Sequence, residues 1–129
     1  MATYNLIASK DAYTRGGTYA NTNFGTEPVA HVKNDTSSSA SRKAWFGFDL
    51  SGVVGTVTSA TLRLYCTYGV SQDEDIHLVT EAWTESGITW NNEPSVGDLI
   101  DTVNVSTGDV TSIDVTDEVN AALIGGEIS

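Results

Sequence analysis

The chain has 129 residues, a net charge of −11 and 18% charged residues, the last below the roughly 25% of an average globular domain. Its length fits one domain, 1–129, that can bury a real core, and no stretch approaches the roughly 18 apolar residues of a membrane helix. So acidic a balance disfavours nucleic acid as a partner, and abundant Ser, Thr and Gly with Val and Ile favour strands and turns over helices.

In chain order, 3–8 is predicted as a short strand. Residues 14–28, rich in Gly, Asn and Thr, form a long ordered loop ending at Pro28. A short strand at 29–33 precedes a polar Ser run at 34–41, predicted as a mobile tip. Residues 43–50 alternate with period two, Ala44, Phe46, Phe48 and Leu50 on one face and Trp45, Gly47 and Asp49 on the other, which is a strand. After a turn at 51–55, the longest strand is expected at 57–68. There Ala60, Leu62, Leu64 and Cys66 point inward, and Thr61, Arg63, Tyr65 and Thr67 point the other way. Residues 69–75 read as an acidic loop and 76–82 as a strand. Two further strands, 98–105 and 110–115, are split by Ser106-Thr107-Gly108-Asp109.

One helix is predicted over 117–124. Thr116 serves as N-cap, Asp117 and Glu118 suit the positive helix start, and Gly125 suits the end. Val119, Leu123 and Ile124 give it an apolar stripe. The predicted fold class is all-β, a jelly-roll type β-sandwich with one short C-terminal helix. Residues 127–129 read as the start of another strand. An open edge there would invite pairing with a strand from a neighbouring chain.

The charge is unevenly spread. Residues 1–50 carry Lys10, Arg15, Lys33, Arg42 and Lys43 against Asp11, Glu27, Asp35 and Asp49, whereas the remainder carries Arg63 against thirteen acidic residues. An anionic partner would therefore use the N-terminal half. Cys66 is the single cysteine, so no internal disulfide forms, and its place on an apolar face marks a core thiol. The opening MATYNLIASKD lacks the basic start and long apolar stretch of a signal peptide.

The densest stretch is Trp83 to Pro94, WTESGITWNNEP, which holds two of the three tryptophans and one of the two prolines. It reads as an irregular loop between strands, pinned by buried indoles and by side-chain hydrogen bonds from Thr and Asn. The pattern formed by Trp83, Glu85, Ile88, Thr89, Trp90, Asn91 and Pro94 resembles the signature of the DNRLRE domain family. Asp11-Ala12-Tyr13 with Asn23-Phe24-Gly25, Phe46-Gly47-Phe48-Asp49-Leu50, Ser59 to Tyr65, and Asp114-Val115-Thr116 with Val119 resemble its other motifs. The resemblance runs from about Asp11 to Gly125. It implies a β-sandwich module in which further strands follow the helix, so that this chain lacks the family's last strands, either as a fragment or with a neighbour completing the sheet; some relatives are classed as carbohydrate-binding modules that include alginate binders. It also implies a structural role for Trp83, Glu85, Thr89, Trp90, Asn91 and Pro94.

Enzyme motifs are absent: there is no His-Glu-x-x-His, Gly-x-Ser-x-Gly or phosphate loop. His31 and His77 read as surface or core residues, and a Glu81–Glu85 pair has only the residue types of a glycosidase acid pair. A non-catalytic, glycan-binding accessory or adhesive module is therefore expected. Sugar binding calls for an exposed aromatic ring with polar neighbours. Trp45 is the leading candidate, with Arg42 and Lys43 beside it, and Tyr13, Tyr19 and Tyr65 as other rings. Arg15, Lys33, Arg42 and Lys43 are the cations for an acidic polysaccharide. Calcium is the expected ion, held by Asp73, Glu74 and Asp75 in one loop or by Asp11 with Asp49. The alternative function is a structural subunit that self-assembles or decorates a virion surface or an extracellular fibre through its open edge. Either function places the chain outside a cell or on a virion.

Overall fold

A computed structural model describes residues 2–33, 38–69, 71–123 and 127–128. Among the described residues strands dominate, with one short α-helix, so the class is all-β. The strands are β1 (Lys10–Arg15), β2 (Arg42–Asp49), β3 (Thr61–Tyr65), β4 (Gln72–His77), β5 (Leu99–Val105), β6 (Val110–Asp114) and β7 (Glu127–Ile128), and the helix is α1 (Thr116–Ala122). The contacts group into two compact units: Met1–Asp49 with Thr80–Ser95, and Leu50–Val79 with Val96–Ile128.

The first unit is built on an antiparallel ribbon in which β1 pairs with β2 from Lys10↔Gly47 to Arg15↔Arg42. The register assigns every side chain to a face, because successive strand residues point to opposite sides. Lys10, Ala12, Thr14, Lys43, Trp45 and Gly47 share one face. Asp11, Tyr13, Arg15, Arg42, Ala44 and Phe46 share the other. The strand expected at 3–8 is not formed, and there Leu6 and Ile7 are exposed. The strand starts at Lys10 instead, where β2 supplies a partner for every residue. The strand expected at 29–33 reduces to one bridge, Lys33↔Arg42. The predicted loop at 14–28 gives its first two residues to β1 and contains a 3-10 turn, Gly17–Tyr19. Of the Ser run, Ser38–Ala40 is also a 3-10 turn, and 34–37 lie outside the described residues.

The second unit has two antiparallel ladders, β3 with β6 and β4 with β5. Its core is Leu50, Ile113, Val115 and Val119, with Val57, Leu62, Leu64, Ile76, Ile100, Val103 and Leu123 packed against it. Ile113 is 1% exposed, and burying a side chain of that size contributes about 1.5–3 kcal/mol. β3 keeps the expected alternation, with Leu62 and Leu64 turned to the core and Thr61, Arg63 and Tyr65 exposed, but it is shorter than the predicted 57–68. Gly108, at φ +83° in the turn before β6, supplies a left-handed residue that a side chain rarely adopts.

Two expectations for this unit change. The acidic stretch 69–75 is not all loop, because Gln72 to Asp75 open β4. The opposing strand offers donors that make this possible: Thr102 Oγ1 donates to Asp75 at 2.7 Å and Asn104 Nδ2 to Asp73 at 3.2 Å. Thr116 is the first residue of α1 rather than its N-cap. Val115 holds the N-cap position, and the Thr116 amide (3.0 Å) and hydroxyl (2.6 Å) both donate to the Asp114 carboxylate just before it. Of the predicted helix 117–124, Ile124 lies outside the described residues.

Those two hydrogen bonds from Thr116 hold the Asp114 carboxyl below its ordinary range. A depressed carboxylate stabilises the fold above its unfolded pKa, and that contribution is lost as pH falls through the folded value. Asp114→Ala should therefore lower the urea midpoint at pH 7, and the gap from wild type should close as the acid limb is titrated.

Candidate functional site

The loop 83–94 is organised by long-range hydrogen bonds that converge on it from the start of the chain. Asn23 Nδ2 donates to the carbonyls of Glu85 and Ile88, each at 2.8 Å, while its Oδ1 accepts from the Gly25 amide. The Asn91 amide donates to the Ala20 carbonyl at 3.1 Å, and Asn91 Nδ2 to Asn21 at 2.7 Å. Asn92 closes the loop internally, accepting from the Thr89 amide and donating to the Gly87 carbonyl. Gly25 lies so close that an added methyl would overlap the Glu85 carbonyl. Gly25→Ala should thus cost several kcal/mol, within the range of strained backbone and overpacked sites, read as a lowered melting temperature. Asn23→Ala, which orphans two carbonyls and an amide, should cost about 2–3 kcal/mol.

This loop covers the Trp45 face of the ribbon. Trp83 is 8% exposed and its ring lies 6.4 Å from that of Trp45, tilted. Trp45 itself is 4% exposed and Thr14 is fully buried. Trp45 Nε1 donates to Thr14 Oγ1 at 3.0 Å, and Thr14 Oγ1 donates to Glu93 at 2.6 Å. Glu93 also pairs with Lys43, whose ammonium sits 4.7 Å from the Trp90 ring centroid. Two of the residues expected to contact sugar are therefore occupied elsewhere: Trp45 is a core indole, and Lys43 bridges the ribbon to the loop. Alternation made Trp45 look outward, but the tryptophan loop is a second layer on that side. Ile88 is 2% exposed and Pro94 is buried, so the motif residues act as scaffold. Glu81 accepts from the Ser95 amide and Glu85 from the Asp11 amide, which leaves this acid pair engaged by backbone donors.

The opposite face of the ribbon is basic and aromatic. Arg15 and Arg42 are directly opposed across the strands, and Arg42 is bridged to Lys33 on its other side. Three cations thus lie in one row across three chain segments. Like charges directly opposite cost a pair of strands up to about 1 kcal/mol. The Nε atoms of Arg15 and Arg42 are buried without hydrogen-bond partners among the described residues. Beside the row, Tyr13 stacks on Phe24 at 4.4 Å and 15°, His31 stands edge-on to Tyr13 at 4.8 Å, and the Arg15 guanidinium lies 4.2 Å over the Tyr19 ring. Tyr13 is buried beneath, whereas Tyr19 is 42% exposed and His31 and Lys33 face solvent. Burial, then the charge of Glu27, raises the Tyr13 hydroxyl pKa, and the two guanidiniums oppose the rise.

The chain also matches a known family. The model of carbohydrate-binding module family 96 matches residues 2–129. The chain belongs to that family. The description is of a binding module rather than an enzyme, and the partner class it points to is a glycan. A search of curated proteins found no match. The family-96 module thus presents three of the four cations predicted for a glycan, Arg15, Lys33 and Arg42, in one row. Tyr65 is on β3, in the second unit.

The residues named for calcium are not gathered in the same way. On β4 Glu74 turns to the half-buried side while Asp73 and Asp75 point outward. Asp11 and Asp49 lie on opposite faces of the ribbon. Among the described residues no group of three or more His, Cys, Asp or Glu is placed to hold a metal ion. Asp11 instead meets Glu85. Desolvation, followed by the hydrogen bond and charge of Glu85, pushes the Asp11 carboxyl above its usual range. Sequence reasoning gave no ligand-side place to His31 or Phe24, although Phe24 stood in the Asn23-Phe24-Gly25 motif and His31 two residues before Lys33.

Proposed function

We propose that the chain is a non-catalytic module that binds an acidic polysaccharide on the Arg15–Arg42 face of its first unit. The observation that carries this reading is the row Arg15, Arg42 and Lys33, alike in charge and directly adjacent, beside the Tyr19, His31 and Tyr13–Phe24 aromatic cluster. Arg15 and Arg42 are a like-charge pair directly opposed across the strands, a placement that a bound carboxylate would favour. Guanidiniums fit carboxylates with two parallel hydrogen bonds. Tyr19 supplies a ring for the apolar face of a pyranose. The resemblance to DNRLRE domains, whose relatives include alginate binders, supports the same ligand class. An accessory or adhesive role follows from binding without catalysis.

The test is affinity electrophoresis of the purified chain through gels containing alginate, pectate or uncharged dextran. Migration should be retarded by the two uronate polymers, with the retardation falling as salt rises, and unaffected by dextran. Equal retardation by all three, or none by the uronates, would overturn the reading.

A further inference from the structure

We propose that His31 couples anion binding on the Arg15–Arg42 face to proton uptake. Capture of an acidic chain draws a proton from solvent onto the imidazole, so the module grips on the acid side of neutral and loosens above it. The inference rests on the acidic-polysaccharide reading above and adds its regulation. Register places His31 in the row next to the cations. Lys33 is bridged to Arg42, and Tyr13 pairs with Ala44. Counted in the same antiparallel register, two residues back from Lys33 and two on from Arg42, His31 comes opposite Ala44. Tyr13, Ala44 and His31 thus form a second row, roughly 7 Å from the first, the spacing of alternate residues on a strand. Ala44 puts only a methyl between two rings, which lets His31 stand edge-on to Tyr13 at 4.8 Å. Tyr13 is itself stacked on Phe24, so the imidazole leans on a fixed ring while it faces solvent.

The charged groups on this face are Lys33 on the histidine's own segment, Arg15 and Asp11 on β1, Arg42 on β2, and Glu27, whose charge reaches the Tyr13 hydroxyl. A bound uronate adds carboxylates beside the imidazole, and these attract an imidazolium where they gain nothing from the neutral ring. The coupling is reciprocal: the factor by which the proton tightens the ligand is the factor by which the ligand tightens the proton. Histidine is the side chain that ordinarily changes charge between about pH 5 and 8, a range in which uronates and guanidiniums keep theirs. Affinity therefore rises as pH falls through that range and is lost as pH rises. Of the two carboxylates on the face, Asp11 is held above its usual range by burial and then by Glu85, and variants of His31 separate its titration from that of the imidazole.

The experiment is calorimetric titration of the full chain with a galacturonate hexasaccharide, repeated in buffers of different ionisation heat to count protons. At about pH 6.5 binding should take up a fraction of one proton, and affinity should fall about tenfold from the acid end of the range to the alkaline end. His31→Gln should abolish the uptake and flatten the profile. His31→Arg should hold at the alkaline end the affinity that wild type reaches only at the acid end. The chain's other histidine, His77 on β4 of the second unit, is the control: His77→Gln should keep the wild-type profile. His31 is exposed, so its variants should keep the wild-type melting temperature. Binding without proton uptake, a pH profile unaltered in His31→Gln, or one lost instead in His77→Gln would overturn the inference and leave the acidic-glycan face standing. Absence of uronate binding at every pH would overturn the face itself, and this inference with it.

Discussion

Trp45→Ala will destabilise the fold by about 3–5 kcal/mol, the usual cost of emptying a large aromatic site in a packed core. The indole is 4% exposed, touches the Trp83 ring, and anchors the chain of hydrogen bonds that runs through Thr14 to Glu93. Against a total stability of roughly 5–15 kcal/mol, that loss leaves the variant unfolded or nearly so in urea titrations. Trp45→Phe separates volume from polarity. It keeps most of the ring, removes the donor to Thr14, and should cost about 1–3 kcal/mol. A Trp45→Ala protein as stable as wild type that had lost glycan binding would return Trp45 to the surface and contradict the layered first unit.

The second large effect is on binding. Arg15→Gln with Arg42→Gln should weaken uronate binding at least a hundredfold, since each charge-assisted hydrogen bond contributes about 1.5–3 kcal/mol. Stability should stay level or rise slightly, because the substitutions remove a repulsive cross-strand pair. That combination separates a ligand site from a structural one: residues retained for the fold do not leave it more stable when removed. Calorimetric titration with a defined oligouronate, alongside thermal unfolding of the same samples, reads both quantities. A double variant that binds like wild type would dismiss the row as a chance alignment.

Much of the fold was legible because strand periodicity is local. The alternation of 43–50, the apolar positions of β3 and the break around Gly108 are all visible in a few residues. Which side of β2 is covered was not, since Trp45 and Phe46 are both large and apolar and period two does not name the core face. That choice is made by Trp83, dozens of residues downstream. The strand character of Gln72–Asp75 was hidden for the same reason, as its carboxylates are acceptable on a strand only opposite Thr102 and Asn104. The cations of the candidate site were named from composition, but their alignment depends on the Arg15↔Arg42 register and on the Lys33 bridge. Neither has a local signature. The WTESGITWNNEP stretch was read as scaffold from its own residues, whereas the long-range bonds it receives come from Ala20, Asn21 and Asn23.

The most direct test of the central claim is to map where an acidic oligosaccharide lands. Nitrogen-15 spectra of the labelled chain, titrated with an oligouronate of defined length, should shift the signals of Arg15, Tyr19, His31 and Arg42 together on one binding curve. The amides of Trp45, Thr14 and Glu93 beneath the opposite face should move little. Shifts centred on Arg63 and Tyr65, or scattered without a common curve, would contradict the placement of the acidic-glycan site on the first unit.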